Sequence, residues 1–319
     1  MRHIRVREYR CLHGQPLSAP VAQALRDCFA EYIRIERNFE GNAFDIQARD
    51  WVGQIVIGDT AIVIEPKTPL ENLFYMLTYA YNLQVFRRQP YPLGLTDDLL
   101  ETMVLLFARQ LEQLVRQGIY RGYVVWEENQ TFMRGRLLVR EQLRHNTVQL
   151  HRFFTRRDEF TADVLENQLL KAVLFRLSRL NYQNPGLGRR VQRLLGAFNE
   201  VSLSPITHEH FQKVRYGRLN QHYEPLHNLS YLLWRHLSLE SRGGDQAFVS
   251  YLVHMWLVFE VFVTEYLVEY FSSVPGIDVS VQQNIWLDLD QRIQGRPDIV
   301  IKVDNRPVLV LDTKYKLYQ

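Results

Sequence analysis

The chain has 319 residues, of which 46% are hydrophobic and 12% aromatic, and its formal net charge is +3. This composition excludes a disordered or fibrous chain, and the length suits two domains better than one core. The net charge alone does not indicate a polyanion partner. Two cysteines exclude a disulfide framework, and the N-terminus MRHIRVREYR lacks the apolar stretch of a signal peptide, so we expect a cytoplasmic protein.

The first elements are a hairpin and two helices. VGQIVIGDTAIVIEP alternates in polarity on both sides of Gly58-Asp59, which predicts two strands joined by a tight turn. Apolar residues spaced by three and four then predict a helix over roughly 70–83. A second helix is expected to follow Thr96 as its N-cap and to end at Gly118.

A basic segment follows, with eight arginines and three acids between Tyr120 and Asp158. Within it, residues 123–139 are expected to form a hairpin with a polar turn at 127–130. Arg134 and Arg136 then lie on the far side of that turn. The segment could meet phosphates or an acidic protein surface, or it could be an ordinary solvated face packed on its own domain.

From about residue 161 the pattern is mostly helical. Apolar spacing predicts helices over 161–180, 189–200, 222–240 and 248–271. The last is long enough to span a membrane, but its three glutamates would each cost about 3 kcal/mol near a membrane centre, so we expect no membrane contact. Three short strands then follow, NIWLDLD, RPDIVIKV and RPVLVLDTKY. The sequence therefore predicts an α+β N-terminal domain, 1–157, and an α/β domain, 158–319.

The final two strands carry a possible catalytic group. Asp298 opens one strand, and the next ends in Asp312-Thr313-Lys314. Because side chains alternate along a strand, Asp312 and Lys314 share a face, while the carbonyl of Thr313 could join a metal shell. Several carboxylates at one point can hold Mg²⁺, or Mn²⁺ in its place, and a nearby cation can offset charge that develops on a phosphate. This pattern is typical of PD-(D/E)xK nucleases.

Glu260 is the candidate for a third acid. On a helix it falls among Val253, Trp256, Leu257 and Leu267, away from the other acids, and an acid on a buried stripe is costly unless it is paired or bound to metal. The alternative is a structural salt bridge to an arginine. For the two strands that carry Asp298 and Asp312, the alternative is an ordinary hairpin whose acids are solvated.

Nucleotide hydrolysis is not expected in this chain, because the sequence contains no phosphate-binding loop of the GxxxxGK[ST] type. Any nucleotide-driven motor must therefore be a partner. His208-Glu209-His210 could bind zinc, but the sequence offers no evident third ligand.

Several blocks of the sequence resemble the McrC family, the nuclease subunits of McrBC-type, modification-dependent restriction systems. The resemblance runs along most of the chain, and its two most specific blocks are MWLVFEVFVTEYL (255–267) and GRPDIVI…VLVLDTKYK (295–316). It implies that Asp298, Asp312 and Lys314 are nuclease residues. Glu260 matches the acid of the helical block.

The resemblance also implies partners and an architecture. The N-terminal part would dock on a hexameric AAA+ GTPase of the McrB type and stimulate it, and the substrate would be modified double-stranded DNA. Family members usually continue past the DxK strand into a further helix and strands. The resemblance therefore leaves two alternatives, a sequence truncated at its C-terminus or a naturally short protein with an incomplete nuclease core. Two other functions stay open: a noncatalytic adaptor that only activates the ring, and a stand-alone nuclease. An AAA+ GTPase gene beside this one would favour the McrC function.

Overall fold

A computed structural model describes residues 2–38, 43–87, 98–241, 247–286, 292 and 294–316. In chain order, the strands are β1 (Arg2–Arg7), β2 (Cys11–Pro16), β3 (Ile33–Arg37), β4 (Ala43–Ala48), β5 (Trp51–Ile57), β6 (Thr60–Glu65), β7 (Gly122–Gln130), β8 (Arg136–Leu137), β9 (Phe153–Thr161), β10 (Leu237–Ser241), β11 (Ala247–His254), β12 (Ile277–Val281), β13 (Ile285–Trp286), β14 (Gln294–Gly295), β15 (Ile299–Val303) and β16 (Arg306–Leu311). The helices are α1 (Ala19–Cys28), α2 (Leu70–Ala80), α3 (Gln84–Arg87), α4 (Leu99–Gln117), α5 (Val139–His145), α6 (Leu165–Leu177), α7 (Pro185–Gly196), α8 (His208–Lys213), α9 (Glu224–His236) and α10 (Met255–Phe271).

The chain forms two compact units, and they do not divide it at residue 157. The first unit contains Met1–Met103 and Leu232–Gln319, and the second contains Val104–Tyr231. The cause is a five-stranded sheet of order β1-β6-β5-β11-β10, in which β11 pairs antiparallel with β5. Strands from opposite ends of the sequence therefore share one sheet, and the two compact units differ from the predicted domains 1–157 and 158–319.

The same strand corrects the predicted helix over 248–271. Residues 247–254 form β11, in register with β5 from Phe248↔Ile57 to His254↔Trp51, and α10 begins only at Met255. A short run of aromatic and β-branched residues cannot be assigned to helix or strand by periodicity alone, and here the partner strand decides. The helix predicted over 222–240 likewise ends at His236 and is followed by β10.

The predicted hairpin and first helix are confirmed. β5 and β6 pair antiparallel around Gly58, whose φ is +58°, and α2 covers most of the predicted helix. The predicted cap, Thr96, lies outside the described residues. Asp98 caps α4 instead, because its Oδ1 accepts hydrogen bonds from the backbone N–H groups of Leu100 at 2.8 Å and Glu101 at 3.2 Å.

The core of the first unit lies between the five-stranded sheet and the layer formed by α1 and the small sheet β2-β4-β3. Ile55, Ile62 and Ile64 of the large sheet are at most 1% exposed. They belong to the same buried cluster as Leu25 of α1 and Ile46 of β4. Burial of branched side chains from both layers stabilises the unit.

The C-terminal strands form an antiparallel sheet of order β12-β15-β16, and α10 packs against β12. The predicted tight turn is confirmed: Asp304 and Asn305 have φ of +47° and +65° between β15 and β16. Ile299 and Val300 of β15 are fully buried, whereas β16 is exposed along most of its length. Of the predicted strand NIWLDLD, only the part up to Trp286 is described, and it pairs with β14.

In the second unit, the predicted hairpin over 123–139 is wrong. Residues 127–130 continue β7, whose partner is β9, and the sheet order is β7-β9-β8. Arg134 lies between β7 and β8, and Arg136 of β8 stands opposite Arg156 of β9. Cross-strand partners supplied by β9 explain why four polar residues continue a strand instead of turning.

None of the helices in the described part of the chain combines the length and apolar character that crossing a membrane requires.

The pairing of β5 with β11 makes a prediction about two glycines with positive φ. A Cβ on Gly53, whose φ is +138°, would lie 1.9 Å from the carbonyl oxygen of Tyr251, whereas a Cβ on Gly58 meets nothing within 4 Å. We expect Gly58→Ala to cost about 1–2 kcal/mol for backbone strain alone. Gly53→Ala should cost more than about 4 kcal/mol, because the strand must also move. Urea unfolding measures both, and equal losses would contradict the pairing.

Candidate functional site

Glu260 is buried on α10, with 5% of its surface exposed. Its Oε1 accepts a hydrogen bond from Gln282 Nε2 at 2.8 Å. The burial agrees with the sequence analysis but the predicted neighbours do not, because Trp256 and Leu257 are 44% and 40% exposed. Among the described residues no lysine, arginine or histidine forms an ion pair with Glu260, so the structural salt bridge to an arginine is wrong there. A buried carboxylate thus faces a neutral amide.

Gln282 was missed by the sequence analysis. Its backbone has a φ of +46°, in the left-handed region that few residues other than glycine adopt. Its N–H donates to the carbonyl of Asp298 at 2.8 Å, and its own carbonyl and Oε1 each accept from Arg296 at 3.0 Å. Gln282 therefore links Glu260 to the start of β15. The available signal was a glutamine directly after an apolar strand, which alone says little.

Asp298 and Thr313 form a close pair. Asp298 Oδ2 accepts hydrogen bonds from the backbone N–H of Thr313 at 2.7 Å and from its hydroxyl at 2.8 Å. Thr313 is 9% exposed, whereas Asp298 is half-buried. These two hydrogen bonds to one carboxylate oxygen hold Asp298, which directly precedes β15, against Thr313, the second residue after the end of β16.

Asp312 and Lys314 lie on the outer side of the same segment. Their side chains are 62% and 64% exposed, and Lys314 Nζ lies 3.2 Å from Asp312 Oδ2. Exposure alternates along 312–315, as predicted for side chains that point to opposite sides in turn. The sequence thus paired Asp312 with Lys314 correctly, while the inward position belongs to Thr313.

The structure does not gather Glu260, Asp298 and Asp312 into one group. In the described residues, the three-ligand group whose atoms all lie within 4.8 Å of one another is Cys11, His13 and Asp45, on the small sheet. The metal-binding role of Glu260, Asp298, Asp312 and Thr313 therefore stays a prediction.

The two histidines that could bind zinc, His208 and His210, contact residues of or beside their own short helix α8. His208 Nε2 lies within hydrogen-bond distance of Gln212, and His210 Nδ1 lies within hydrogen-bond distance of Thr207.

The basic segment of the second unit separates into paired and unpaired arginines. Arg156 and Arg157 of β9 lie 3.7 Å and 3.5 Å from glutamates of β7. Arg134 and Arg136 are exposed and form no ion pair within the part of the chain that the structure describes. Large apolar side chains are also exposed in this region: Tyr123 at 76%, Phe132 at 58%, Met133 at 60% and Phe160 at 55%. Exposed apolar side chains beside free cations indicate an interaction surface.

Comparison with known sequences identifies a family. Residues 46–319 match the family described as McrBC 5-methylcytosine restriction system component. The chain is also 22% identical over 262 residues to the type IV methyl-directed restriction enzyme EcoKMcrBC of Escherichia coli (strain K12). That match covers 79% of this chain and 74% of the relative.

Two solved structures have a similar fold. The half-complex from a tetradecameric assembly of Thermococcus gammatolerans McrB AAA+ hexamers with bound McrC contains a chain with 24% identity and a TM-score of 0.60. The match covers 98% of this chain and 80% of that one. A chain of the Thermococcus gammatolerans McrBC complex has 23% identity and a TM-score of 0.53, with 83% and 87% covered.

The pairing of Asp298 with Thr313 predicts unequal effects on stability. Asp298→Ala leaves the N–H of the buried Thr313 without its acceptor, and we expect a loss of about 1–3 kcal/mol. Asp312→Ala removes an exposed charge and should change the free energy of unfolding by less than about 0.5 kcal/mol. Urea unfolding of the two variants checks this, and a larger loss in Asp312→Ala would show that the two acids are placed the other way round.

Proposed function

The chain belongs to the McrBC 5-methylcytosine restriction system component family, and from that premise we propose that it is the DNA-cleaving subunit of such a system. Its reaction would be Mg²⁺-dependent hydrolysis of phosphodiester bonds by a PD-(D/E)xK site. The observation that carries the proposal is Glu260, a buried carboxylate without a cation partner among the described residues, which Gln282 connects to the backbone of Asp298.

The donor set suits a hard divalent cation. Carboxylates and a backbone carbonyl are the oxygen ligands that Mg²⁺ and Mn²⁺ prefer, and Glu260, Asp298, Asp312 and the carbonyl of Thr313 offer only such atoms. Burying a carboxylate that accepts only from a neutral amide, without a compensating positive charge, costs free energy, and a bound metal ion at Glu260 would supply that charge. When bound, the ion would polarise the phosphate and lower the pKa of an attacking water.

Lys314 supplies the positive side chain of the proposed site. Its ammonium group is exposed beside Asp312 and is therefore free to approach a phosphate. There it would offset the negative charge that grows on the phosphate oxygens during attack. Thr313 would keep Asp298 in place through its two hydrogen bonds.

The proposed partner is an AAA+ GTPase hexamer of the McrB type, and the proposed substrate is modified double-stranded DNA in the cytoplasm. Support comes from the similar folds, which were solved as McrC bound to McrB AAA+ hexamers, and from the absence of a phosphate-binding loop in this sequence. The second unit, with its exposed arginines and aromatics, would dock on the ring, and the first unit would cut.

A noncatalytic adaptor is the second candidate. It is favoured by one observation, that Glu260, Asp298 and Asp312 do not form a three-ligand group in the described structure. An adaptor would stimulate the GTPase fully and would not cut DNA. A stand-alone nuclease would cut without the ring.

Cleavage of DNA containing 5-methylcytosine distinguishes these functions. With the GTPase, GTP and Mg²⁺ present, we expect Asp298→Asn, Asp312→Asn, Lys314→Met and Glu260→Gln each to reduce the cleavage rate at least about 100-fold, because each removes a ligand or the cation of the site. GTPase stimulation should stay at the wild-type level in all four.

The matched control is Asp304→Asn. Asp304 lies at the opposite end of the same β15–β16 hairpin, in a turn with positive φ that asparagine tolerates, so cleavage should be unchanged. Wild-type protein that stimulates the GTPase but never cuts would establish the adaptor and remove the nuclease proposal.

Docking through the second unit makes a separate prediction. The double variant Arg134→Glu/Arg136→Glu should lose GTPase stimulation without a change in Tm, because both side chains are exposed and form no ion pair among the described residues. Reversed charge would repel an acidic surface that the arginines normally meet. GTP turnover by the ring, measured with saturating variant, gives the result.

Arg189→Glu/Arg193→Glu on α7 is the control, with the same charge change on another exposed face of the second unit. It should leave stimulation intact. If the first double variant stimulates normally and instead binds DNA more weakly, with a lower salt dependence, the basic segment contacts DNA and not the ring.

A further inference from the structure

Beyond β16, residues 312–316 form no strand, so no ladder of backbone hydrogen bonds fixes them. Their position depends on side-chain contacts at two inward-facing residues. Thr313 is held by Asp298, as described above. Tyr315 is held by a buried group on the five-stranded sheet, made by Glu8 and Lys67, which follow the neighbouring parallel strands β1 and β6.

The contacts of Tyr315 use both its ring and its backbone. Lys67 Nζ donates to the carbonyl of Tyr315 at 2.9 Å and lies 3.4 Å from the centroid of its ring. The Tyr315 hydroxyl donates to Glu8 Oε1 at 2.9 Å. The ring also packs against Phe259 of α10, at 5.5 Å between centroids, and Phe259 directly precedes Glu260.

This group is costly to bury. The Glu8 and Lys67 side chains are 0% and 7% exposed, Lys67 Nζ lies 3.9 Å from Glu8 Oε1, and Glu8 Oε2 has no hydrogen-bond partner among the described residues. Burial raises the pKa of Glu8 and lowers the pKa of Lys67, so each charged form is disfavoured by its surroundings. Apolar side chains of similar size would often be as stable as such a pair. The presence of this buried pair therefore points to a role other than stability.

We infer that Glu8 and Lys67 are positioning residues, which act through Tyr315 to fix Asp312 and Lys314 for DNA cleavage. The inference rests on the proposed nuclease function. By holding Thr313 and Tyr315 on the inner side, the protein turns Asp312 and Lys314, which alternate with them along the chain, outward together. By packing Tyr315 on Phe259, it also sets the distance of the segment from the helix that carries Glu260.

The test uses Lys67→Met and Tyr315→Phe in the full chain, with the GTPase and DNA containing 5-methylcytosine. Lys67→Met removes the donor to the Tyr315 carbonyl, and Tyr315→Phe removes only the hydroxyl bond to Glu8. We expect Lys67→Met to raise the Mg²⁺ concentration for half-maximal cleavage about 10-fold or more, with the KM for DNA unchanged, and Tyr315→Phe to have a smaller effect in the same direction. Because both act through one group, the double variant should be less than additive.

Backbone amide exchange gives a readout that does not need cleavage. The peptide containing residues 312–316 should exchange faster in Lys67→Met than in the wild type. Lys171→Met is the matched control, because Lys171 Nζ donates to the backbone carbonyls of Phe198 and Val201 in the second unit. It should lower the Tm without changing the Mg²⁺ requirement or the exchange of this peptide.

The outcomes separate the two proposals. If the wild type cuts DNA, and Lys67→Met has the same Mg²⁺ requirement and amide exchange, the positioning role is wrong and the nuclease stands. If the wild type never cuts, the nuclease proposal fails. Unchanged amide exchange of residues 312–316 in Lys67→Met would then also contradict the contact by which Lys67 holds Tyr315. Equal effects of Lys171→Met and Lys67→Met would reduce the role of Lys67 to general stability.

Discussion

The pairing of β5 with β11 is the constraint on which the rest of the first unit depends. It joins the N-terminal sheet to the strand that leads directly into α10, since β11 ends at His254 and the helix begins at Met255. The N–H of Met255 donates to the carbonyl of Asp50 at 3.0 Å, beside the first residue of β5. The register of two strands therefore determines where the helix starts, and with it the position of Glu260.

Local features of the sequence were predictable because their causes are local. The turns at Gly58 and at Asp304-Asn305 follow from backbone conformations that few residues adopt, and the alternation of 312–315 follows from chain geometry. Strand β11 was missed because its partner is distant in sequence. The polar residues 127–130 were expected to turn for the same reason: only β9, which follows at 153–161, shows that they continue a strand.

At the candidate site the sequence identified residue types better than their arrangement. It placed Glu260 in a buried position and paired Asp312 with Lys314, and both agree with the structure. It could not show that Asp298 would bond to Thr313, since that choice depends on where the chain runs after β16. Gln282 carried only a weak signal, and Glu8 and Lys67 were not singled out by any pattern. Each becomes meaningful only when folding brings it beside a residue far along the chain.

A buried acid lies both at the candidate site and beside Tyr315. Glu260 and Glu8 are both largely removed from solvent, yet their surroundings differ: Glu260 accepts from a neutral amide, whereas Glu8 lies beside the ammonium group of Lys67. A carboxylate in a low-dielectric site loses its hydration, and hydrogen bonds together with a compensating positive charge offset that cost best. In Glu8 that charge is present within the fold, and the group can act as a permanent anchor. Around Glu260 no such charge lies among the described residues, and under the proposed function a metal ion would supply it. Under the proposed function the two acids have different tasks: Glu8 would hold Tyr315 through its hydroxyl group, and Glu260 would bind a metal ion. Phe259 packs on Tyr315 and directly precedes Glu260, so the contact that Glu8 stabilises reaches the helix that would carry the metal ligand.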